Sequence, residues 1–460
     1  MKAISFVVAI ALVSAIGCHR RPRVHRHPHG KASTSASASA GAAIDLDARA
    51  RAFTLALSLR DFDGAAKSLD DVMAAAMPTD KLGATWDAVV AQHGAFRAIT
   101  ATHAKHTGKF ETIRVTCAFE RDALDLKIVY DADARIAGLW LVKPEVAWDP
   151  PAYADASKVH EEPIEVGDQK LEGTLTLPNA PSAKLPAIVL VHGSGPNDRD
   201  ETDGQAKPFK DLAWGLASRG VAVLRYEKRT RAHPEQFAET AQYTVKEEAI
   251  DDARAAVALL SRRADVDPKR IYVLGHSLGG TLAPRIAKGD SDVAGVIVLA
   301  GASRPLQVLL VEQVRYLTSL PGVPADAAKE AIERALATQK AIERKDLAPT
   351  DVVDFLGSKG PGAYWLDLRD YRPAEVAATL GVPILILQGA RDYQVTKPDY
   401  DGWAKALEKN PNAKLTTFPK LDHLFIEGEG PSTPADYERP GLHVSPDVID
   451  AIAKFVLPPQ

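Results

Sequence analysis

The stretch Ile271-Tyr272-Val273-Leu274-Gly275-His276-Ser277-Leu278-Gly279-Gly280 organises the reading of the whole chain. An apolar, β-rich run leads into Gly-x-Ser-x-Gly, and the small, helix-tolerant residues Thr281 to Ala287 follow. Strand, sharp turn and helix in that order are the context of a nucleophile elbow. Such a turn holds Ser277 in a strained conformation, and Gly275 and Gly279 leave room for the crowded backbone around it. The Ser277 hydroxyl then stands exposed above a sheet, near the positive end of the following helix.

Outward from this stretch, strands and helices alternate. Ile164 to Val166 and Leu171 to Leu177 read as a hairpin. Ala187 to His192, Val221 to Tyr226, Arg270 to Leu274, Val293 to Ala300, Pro383 to Gln388 and Ala413 to Phe418 are short apolar runs suited to a parallel sheet buried on both faces. Helices are expected near 206–218, 245–263, 281–288, 397–409 and 445–455. In the second of these Ala249, Ala253, Ala256, Val257 and Leu260 form one apolar stripe. The expected fold is therefore α/β, a doubly wound, mostly parallel sheet.

The alternation breaks between about 303 and 372, where Val308 to Leu317 and Ala325 to Arg344 are helical by pattern. Tyr364-Trp365-Leu366 reads there as an exposed aromatic cluster. An insertion between two strands is a candidate lid over the site.

Pro150 and Pro151 mark a boundary, so 149–460 is assigned to this domain and 44–148 to a small α+β unit. In that unit Phe53, Leu55, Ala56, Leu59 and Phe62 recur at helical spacing, and a second helix is expected over Leu69 to Met77. Three strands are expected after them. In the first, Ile113, Val115, Cys117 and Phe119 face one way; Leu124 to Tyr130 and Arg135 to Val142 continue the pattern. Cys117 lies on the apolar face, where a core role is expected. His93, His103 and His106 read as surface residues.

Residues 1–18 read as a signal peptide. Lys2 precedes the apolar run Ile4 to Ile16, which is too short to span a bilayer, and Ala15-Ile16-Gly17-Cys18 is similar to a bacterial lipobox. Cys18 is thus the expected lipidation site, although Ala15 stands where such sites more often have Leu. The plain alternative is a secretory signal with an incidental cysteine. Residues 19–43, first rich in Arg and His and then in Ser and Ala, read as a flexible tether. The expected location is the bacterial cell envelope, with a lipid anchor to a membrane. A net charge of −4 gives no reason to expect a nucleic-acid partner, and two cysteines cannot build a disulfide framework. No metal or organic cofactor is expected, and oligomeric state is not readable.

A serine hydroxyl needs an imidazole to take its proton, and the imidazole needs an anion to fix its tautomer. Two loops supply the missing members. The strand Ile384 to Gln388 runs into Gly389-Ala390-Arg391-Asp392, and the next strand runs into Leu421-Asp422-His423-Leu424-Phe425. Both loops sit at strand C-terminal ends, where sites form in open α/β sheets. Asp422 is a rival acid, but in an extended loop it points away from its neighbour His423. For the oxyanion, one backbone donor is Leu278, directly after the nucleophile. The other is Ser194, in Val191-His192-Gly193-Ser194-Gly195-Pro196. His192 reads as a structural bond-former.

The set Gly-His-Ser-Leu-Gly, His-Gly-Ser-Gly-Pro, Gly-Ala-Arg-Asp and Asp-His-Leu-Phe resembles the α/β-hydrolase superfamily. Within it the set is similar to the secreted bacterial esterases close to the serine aminopeptidase and dienelactone-hydrolase branches. The run Gly193 to Thr202 is particularly similar to one esterase subgroup. The small unit resembles the domain of unknown function, cystatin-like or NTF2-like in shape, that often precedes secreted hydrolases. The resemblance implies nucleophile Ser277, acid Asp392, base His423 and oxyanion amides of Ser194 and Leu278. One departure lies in Arg225-Tyr226-Glu227-Lys228-Arg229-Thr230, where relatives usually have Asp at the third and Gly at the sixth position. The activity implied is hydrolysis of small-molecule carboxylic esters with small or medium acyl chains. Two alternatives stand beside it. The first is amide or aminopeptidase-like cleavage, with Glu312, Asp367 or Asp370 as holders of a substrate ammonium. The second is a non-catalytic envelope binding protein.

Overall fold

Aspartates open the first three helices, because a side-chain oxygen at that position satisfies an otherwise orphaned backbone N–H. Asp45 accepts from Ala48 N, Asp61 from Gly64 N and Asp70 from Met73 N, at the starts of Leu46–Ser58, Phe62–Ala66 and Asp71–Ala76. The computed structural model describes residues 44–457 except 108–109, 145–146, 182, 239–240 and 356–357. Cys18, the leader before it and the tether after it lie outside the described residues.

The chain forms two compact units. In the first, a fourth helix, Thr79–His93, precedes four antiparallel strands in sequential order: β1 (Phe96–Thr107), β2 (Phe110–Phe119), β3 (Ala123–Tyr130) and β4 (Ile136–Val142). One face of the sheet is apolar. Ile113, Val115, Cys117, Leu126 and Ile128 pack beneath Phe53, Leu57, Leu82, Trp86 and Val89. Three strands were expected and four are present. β1 escaped notice because its run of Ala, Thr, His and Lys shows no clear alternation of large apolar with polar residues. The helix Thr79–His93 was legible in Leu82, Trp86 and Val89, a one-sided stripe at i, i+4 and i+7 that all three bury.

The second unit begins at Trp148, whose Nε1 donates to Asp211 at 2.7 Å and whose ring packs edge-on against Trp214. It holds β5 (Val159–Val166), β6 (Leu171–Pro178), β7 (Leu185–Val191), β8 (Ala222–Tyr226), β9 (Val266–His276) and β10 (Val293–Leu299). A hairpin of β11 (Val352–Phe355) and β12 (Ser358–Pro361) comes next, then β13 (Ile384–Gly389) and β14 (Ala413–Phe418). The main sheet runs β14-β13-β10-β9-β7-β8-β6-β5. The six strands from β14 to β8 are parallel, and β6 and β5 close the edge as the expected antiparallel hairpin.

Both faces of this sheet are covered, which is why its central strands read as unbroken apolar runs. Along β7, Ala187, Val189 and Val191 enter one core while Ile188 and Leu190 enter the other. On the first face lie the helices Asp251–Ser261, Leu278–Ala287 and Lys397–Leu407; on the second, Pro208–Ala217 and Pro446–Val456. Burying each Val, Leu or Ile contributes about 1.5–3 kcal/mol, so the middle of the sheet is its rigid part. The helix expected over 245–263 opens with a π-helical turn, Lys246–Ile250, a form often found at functional sites.

The insertion follows β10. It consists of the antiparallel helices Leu306–Ser319 and Ala325–Glu343, the β11-β12 hairpin and the helix Gly362–Arg369. Its aromatic cluster is not exposed. Trp365 is 3% accessible and packs with Phe355, Ile342, Leu347 and Val353, so the cluster is the insertion's own core. Three adjacent large residues look like a patch in sequence. A second layer is needed to bury them, and the β11-β12 hairpin supplies it together with Ile342 and Leu347.

Burial pushes the Cys117 thiol up to about 12, so thiolate is scarce at ordinary pH. Iodoacetamide at pH 8 should leave Cys117 unmodified in the folded protein and modify it in guanidinium, as read by peptide mass mapping. Equal modification in both states would take Cys117 out of the core.

Candidate active site

The elbow is held by backbone crowding. Ser277 has φ 52° and ψ −116°, a conformation that costs a non-glycine residue about 1–3 kcal/mol. The flanking glycines permit it, because a Cβ on Gly275 would lie 2.1 Å from Gly279 O and one on Gly279 would lie 2.1 Å from Val191 O. Ser277 N donates to Leu299 O at 2.9 Å, tying the turn to the end of β10. Ser277 is half-buried, at the start of the helix Leu278–Ala287.

His423 and Asp392 come from the loops after β14 and β13. The Nδ1–H of His423 donates to Asp392 Oδ2 at 2.7 Å, and both side chains are almost wholly buried. The remaining capacity of the Asp392 carboxylate is filled by Gln394 N (2.7 Å), Val395 N (3.0 Å) and Gln388 Nε2 (3.1 Å). Four donors fix the carboxylate, and the carboxylate fixes the imidazole with Nε2 left to accept a proton. Asp422, the rival, faces its own backbone. Its Oδ1 accepts from Leu424 N and Ile426 N, each at 3.0 Å, and burial raises its pKa to about 6.

His276 joins the elbow to this pair. Its Nε2 donates to His423 O at 2.9 Å, and the two rings lie 4.7 Å apart. Among the described residues Ser277 Oγ makes no hydrogen bond, and the elbow reaches His423 through the bond from His276. Catalytic hydrogen bonds often tighten only when substrate is bound.

The loop Gly193–Asn197 follows β7 and lies against the elbow: a Cβ on Gly193 would stand 3.1 Å from Ser277 Cβ. Among the described residues, Ser194 N–H and Leu278 N–H have no acceptor. A pair of free amides beside a serine can receive an oxyanion. His192 is buried between Phe209 and Tyr226, and its Nε2 lacks a partner among the described residues. Burial holds its pKa down near 4, so it is neutral, and its hydrogen bond with the backbone of Asp198 is the structural role expected of it.

Sequence reasoning missed two side chains around this loop, Glu201 and Lys228. Glu201 accepts from Gly193 N at 2.6 Å and lies 3.0 Å from His276 Nδ1. That second contact is within ion-pair range but not aligned as a hydrogen bond. Lys228 donates to Gly193 O at 2.7 Å and to Glu248 at 2.6 Å. Thr230, at the sixth position of the departure noted above, donates to Gly195 O at 3.3 Å. Glu201 and Lys228 could have been suspected only as charges inside motif stretches, since the Glu201–His276 contact and the Lys228–Gly193 bond join residues remote in sequence.

The insertion packs beside the acid loop. Gln313 donates to Gln394 O at 2.9 Å, and Tyr316 stacks on Tyr393 at 4.8 Å. Between them lies a cavity of about 390 Å³ lined by Glu312, Tyr316, Asp392, Tyr393 and Thr396, with Pro431 at its side. The three carboxylates considered as holders of a substrate ammonium already have cations beside them. Glu312 is gripped by Arg304 at 2.7 and 2.8 Å, Asp367 by Arg285 at 2.7 and 2.9 Å, and Asp370 lies 3.3 Å from Arg369. Among the described residues no group of three or more His, Cys, Asp or Glu side chains could hold a metal ion, and no helix is long and apolar enough to cross a membrane.

Both nitrogens of His276 face acceptors, a carbonyl and a carboxylate, so its cation is the form that fits. Burial is the largest single influence and opposes that charge, but Glu201, the carbonyl of His423 and Asp392 together outweigh it, and the pKa of His276 is raised. A raised folded pKa contributes stability in full below the unfolded value of about 6.5, and the contribution is lost as pH rises through the raised value. The thermal midpoint of His276→Gln should therefore fall furthest below wild type near pH 6 and approach it on the alkaline side. A gap of equal size at both ends would mean a neutral His276.

Comparison with known proteins gives matches over both units. The alpha/beta hydrolase family model matches residues 188–438, and the model of a protein of unknown function (DUF3887) matches 50–139. The esterase EstD of Thermotoga maritima is 38% identical over 402 residues, 87% of this chain and 93% of that protein. The putative esterase NocK of Nocardia uniformis is 26% identical over 211 residues, 41% of this chain and 60% of that protein. Among solved structures, Est1E from Butyrivibrio proteoclasticus is 19% identical with a TM-score of 0.40, covering 64% of this chain and 95% of that one. With more than half of its length matched by the hydrolase model, and a relative of nearly equal extent, this chain belongs to the alpha/beta hydrolase family.

Proposed function

We propose that the protein hydrolyses carboxylic esters through an acyl-enzyme on Ser277, with His423 as base and Asp392 as the acid that orients it. The observation that carries this reading is the 2.7 Å bond from His423 Nδ1 to a fully satisfied Asp392 carboxylate, with His423 tied through His276 to the elbow that holds a strained serine. The likeness to an esterase over most of the chain supports it.

In this mechanism His423 Nε2 takes the Ser277 proton as Oγ attacks the ester carbonyl carbon. The carbonyl oxygen becomes an anion and accepts from Ser194 N–H and Leu278 N–H. Collapse breaks the bond to the alcohol oxygen, which receives the proton from His423. Water, deprotonated by the same nitrogen, then attacks the acyl carbon, and the second collapse releases the carboxylic acid and returns the proton to Ser277. Small or medium acyl chains are the expected substrates. Amine-bearing peptides fit less well, since Glu312 and Asp367 are each engaged by an arginine and Asp370 lies beside Arg369. Export and a lipid anchor at Cys18 belong to the same proposal and rest on sequence alone.

A fluorophosphonate probe should label Ser277 in the wild type and leave Ser277→Ala unlabelled. Turnover of p-nitrophenyl acetate should drop at least about 10⁴-fold in Ser277→Ala, and by about 10⁴-fold in Asp392→Asn with KM little changed. Retained turnover in folded Ser277→Ala would overturn the assignment, and an unlabelled wild type would favour a binding role. Faster cleavage of aminoacyl anilides than of matched esters would reverse the substrate ranking. In cells, a radioactive fatty acid should label the wild type and spare Cys18→Ser; an unlabelled wild type would remove the anchor.

A further inference from the structure

The peptide group that carries Ser194 N–H also carries Gly193 C=O. A trans peptide is planar, so its carbonyl oxygen and its N–H point in opposite directions. Whatever grips the carbonyl of Gly193 therefore aims the amide of Ser194. That grip is Lys228. Its Nζ donates to Gly193 O at 2.7 Å, and the side chain is 2% accessible. Asn197 Nδ2, from the loop itself, adds a second and longer bond to the same oxygen at 3.1 Å. The preceding peptide is held as well, through Gly193 N to Glu201 at 2.6 Å.

The loop needs such holding. Gly193 and Gly195 lack the side chains that restrict a backbone, and Gly195 has φ 89°. A flip of the Gly193-Ser194 peptide would turn its N–H inward and present a carbonyl oxygen to the developing oxyanion, replacing attraction by repulsion. The flip would also strip Lys228 of its acceptor in a buried place, where an unmade bond to a cation is expensive. Lys228 also pairs with Glu248, 2.6 Å away on the π-helical turn, whose side chain is 6% accessible; that pair neutralises the buried cation, while the bond to Gly193 O sets its direction.

We propose that Lys228 is a positioning residue of the esterase reaction, setting the direction of the Ser194 amide through the carbonyl of Gly193. This rests on the reading of Ser194 N–H as an oxyanion donor. Lys228 touches no reacting atom. Its cation also polarises the shared peptide, making Ser194 N–H a stronger donor to charge that exists only in the transition state. The effect should thus appear in kcat and not in KM.

The test compares three variants in the full-length protein. Lys228→Met should lower kcat for p-nitrophenyl acetate about 10²–10³-fold, the loss seen when one oxyanion donor is removed, with KM within about threefold of wild type. Affinity for a boronic acid that mimics the tetrahedral adduct should fall by the same factor as kcat. Glu248→Gln removes the ion-pair partner but leaves Lys228 on the carbonyl, so it should lower the thermal midpoint and keep kcat within about threefold. Lys228→Met/Glu248→Gln leaves no unpaired buried charge, and stands in for the single variant if that fails to fold; it should repeat the kcat loss. Wild-type kcat in either Lys228 variant, or an equal kcat loss in Glu248→Gln, would overturn the proposal. Turnover in Ser277→Ala would instead overturn the underlying reading, so the two failures are distinct.

Discussion

Close backbone approach at the C-terminal edge of the sheet is the constraint on which the site depends. Gly279 sits so near Val191 O, and Gly275 so near Gly279 O, that a single Cβ at either would force the turn open. That contact joins the end of β9 to the end of β7 and puts Ser277 beside the Gly193 loop. It also forces Ser277 into a conformation it would not adopt in isolation. The stiff middle of the sheet absorbs this strain, since β7, β9, β10 and β13 each send alternate side chains into two separate cores.

Around the elbow, charge is buried in pairs. Glu201 meets His276, Lys228 meets Glu248, and Arg229 meets Asp252 through its Nε at 2.9 Å. Such pairs are poor sources of net stability, and removing one partner of a buried pair costs about 3–5 kcal/mol. Their value lies in direction. Glu201 and Lys228 take the N–H and the C=O of Gly193, while His276 holds the carbonyl of His423. A loop rich in glycine acquires one conformation because charged groups beneath it accept no other.

The insertion after β10 has its own small cores and is pinned to the body by Arg304, which bridges Glu312 and Asp399. Stacking of Tyr316 on Tyr393 brings it to the loop that carries Asp392. Insertion and acid loop thus share one wall of a cavity, and a change in either would be felt by the other.

Much of this was readable before any coordinates. Unbroken apolar runs flanked by helical stripes specify a sheet covered on both faces, and Gly-x-Ser-x-Gly between strand and helix specifies the elbow. Placing Asp392 and His423 at strand ends needed only the rule that sites form there. What was missed shares one property: it depends on partners distant along the chain. β1 of the small unit has too weak an alternation to declare itself without the strand it pairs with. Trp365 looked exposed until the β11-β12 hairpin supplied its cover. Lys228 was an unremarked member of a departing motif, because its acceptor is the carbonyl of Gly193, far away in sequence. Local pattern and periodicity therefore determined the elements, their order and the residue types at the strand ends. Tertiary packing alone decided which buried charges meet, because pairing energies depend on distances that no local pattern encodes.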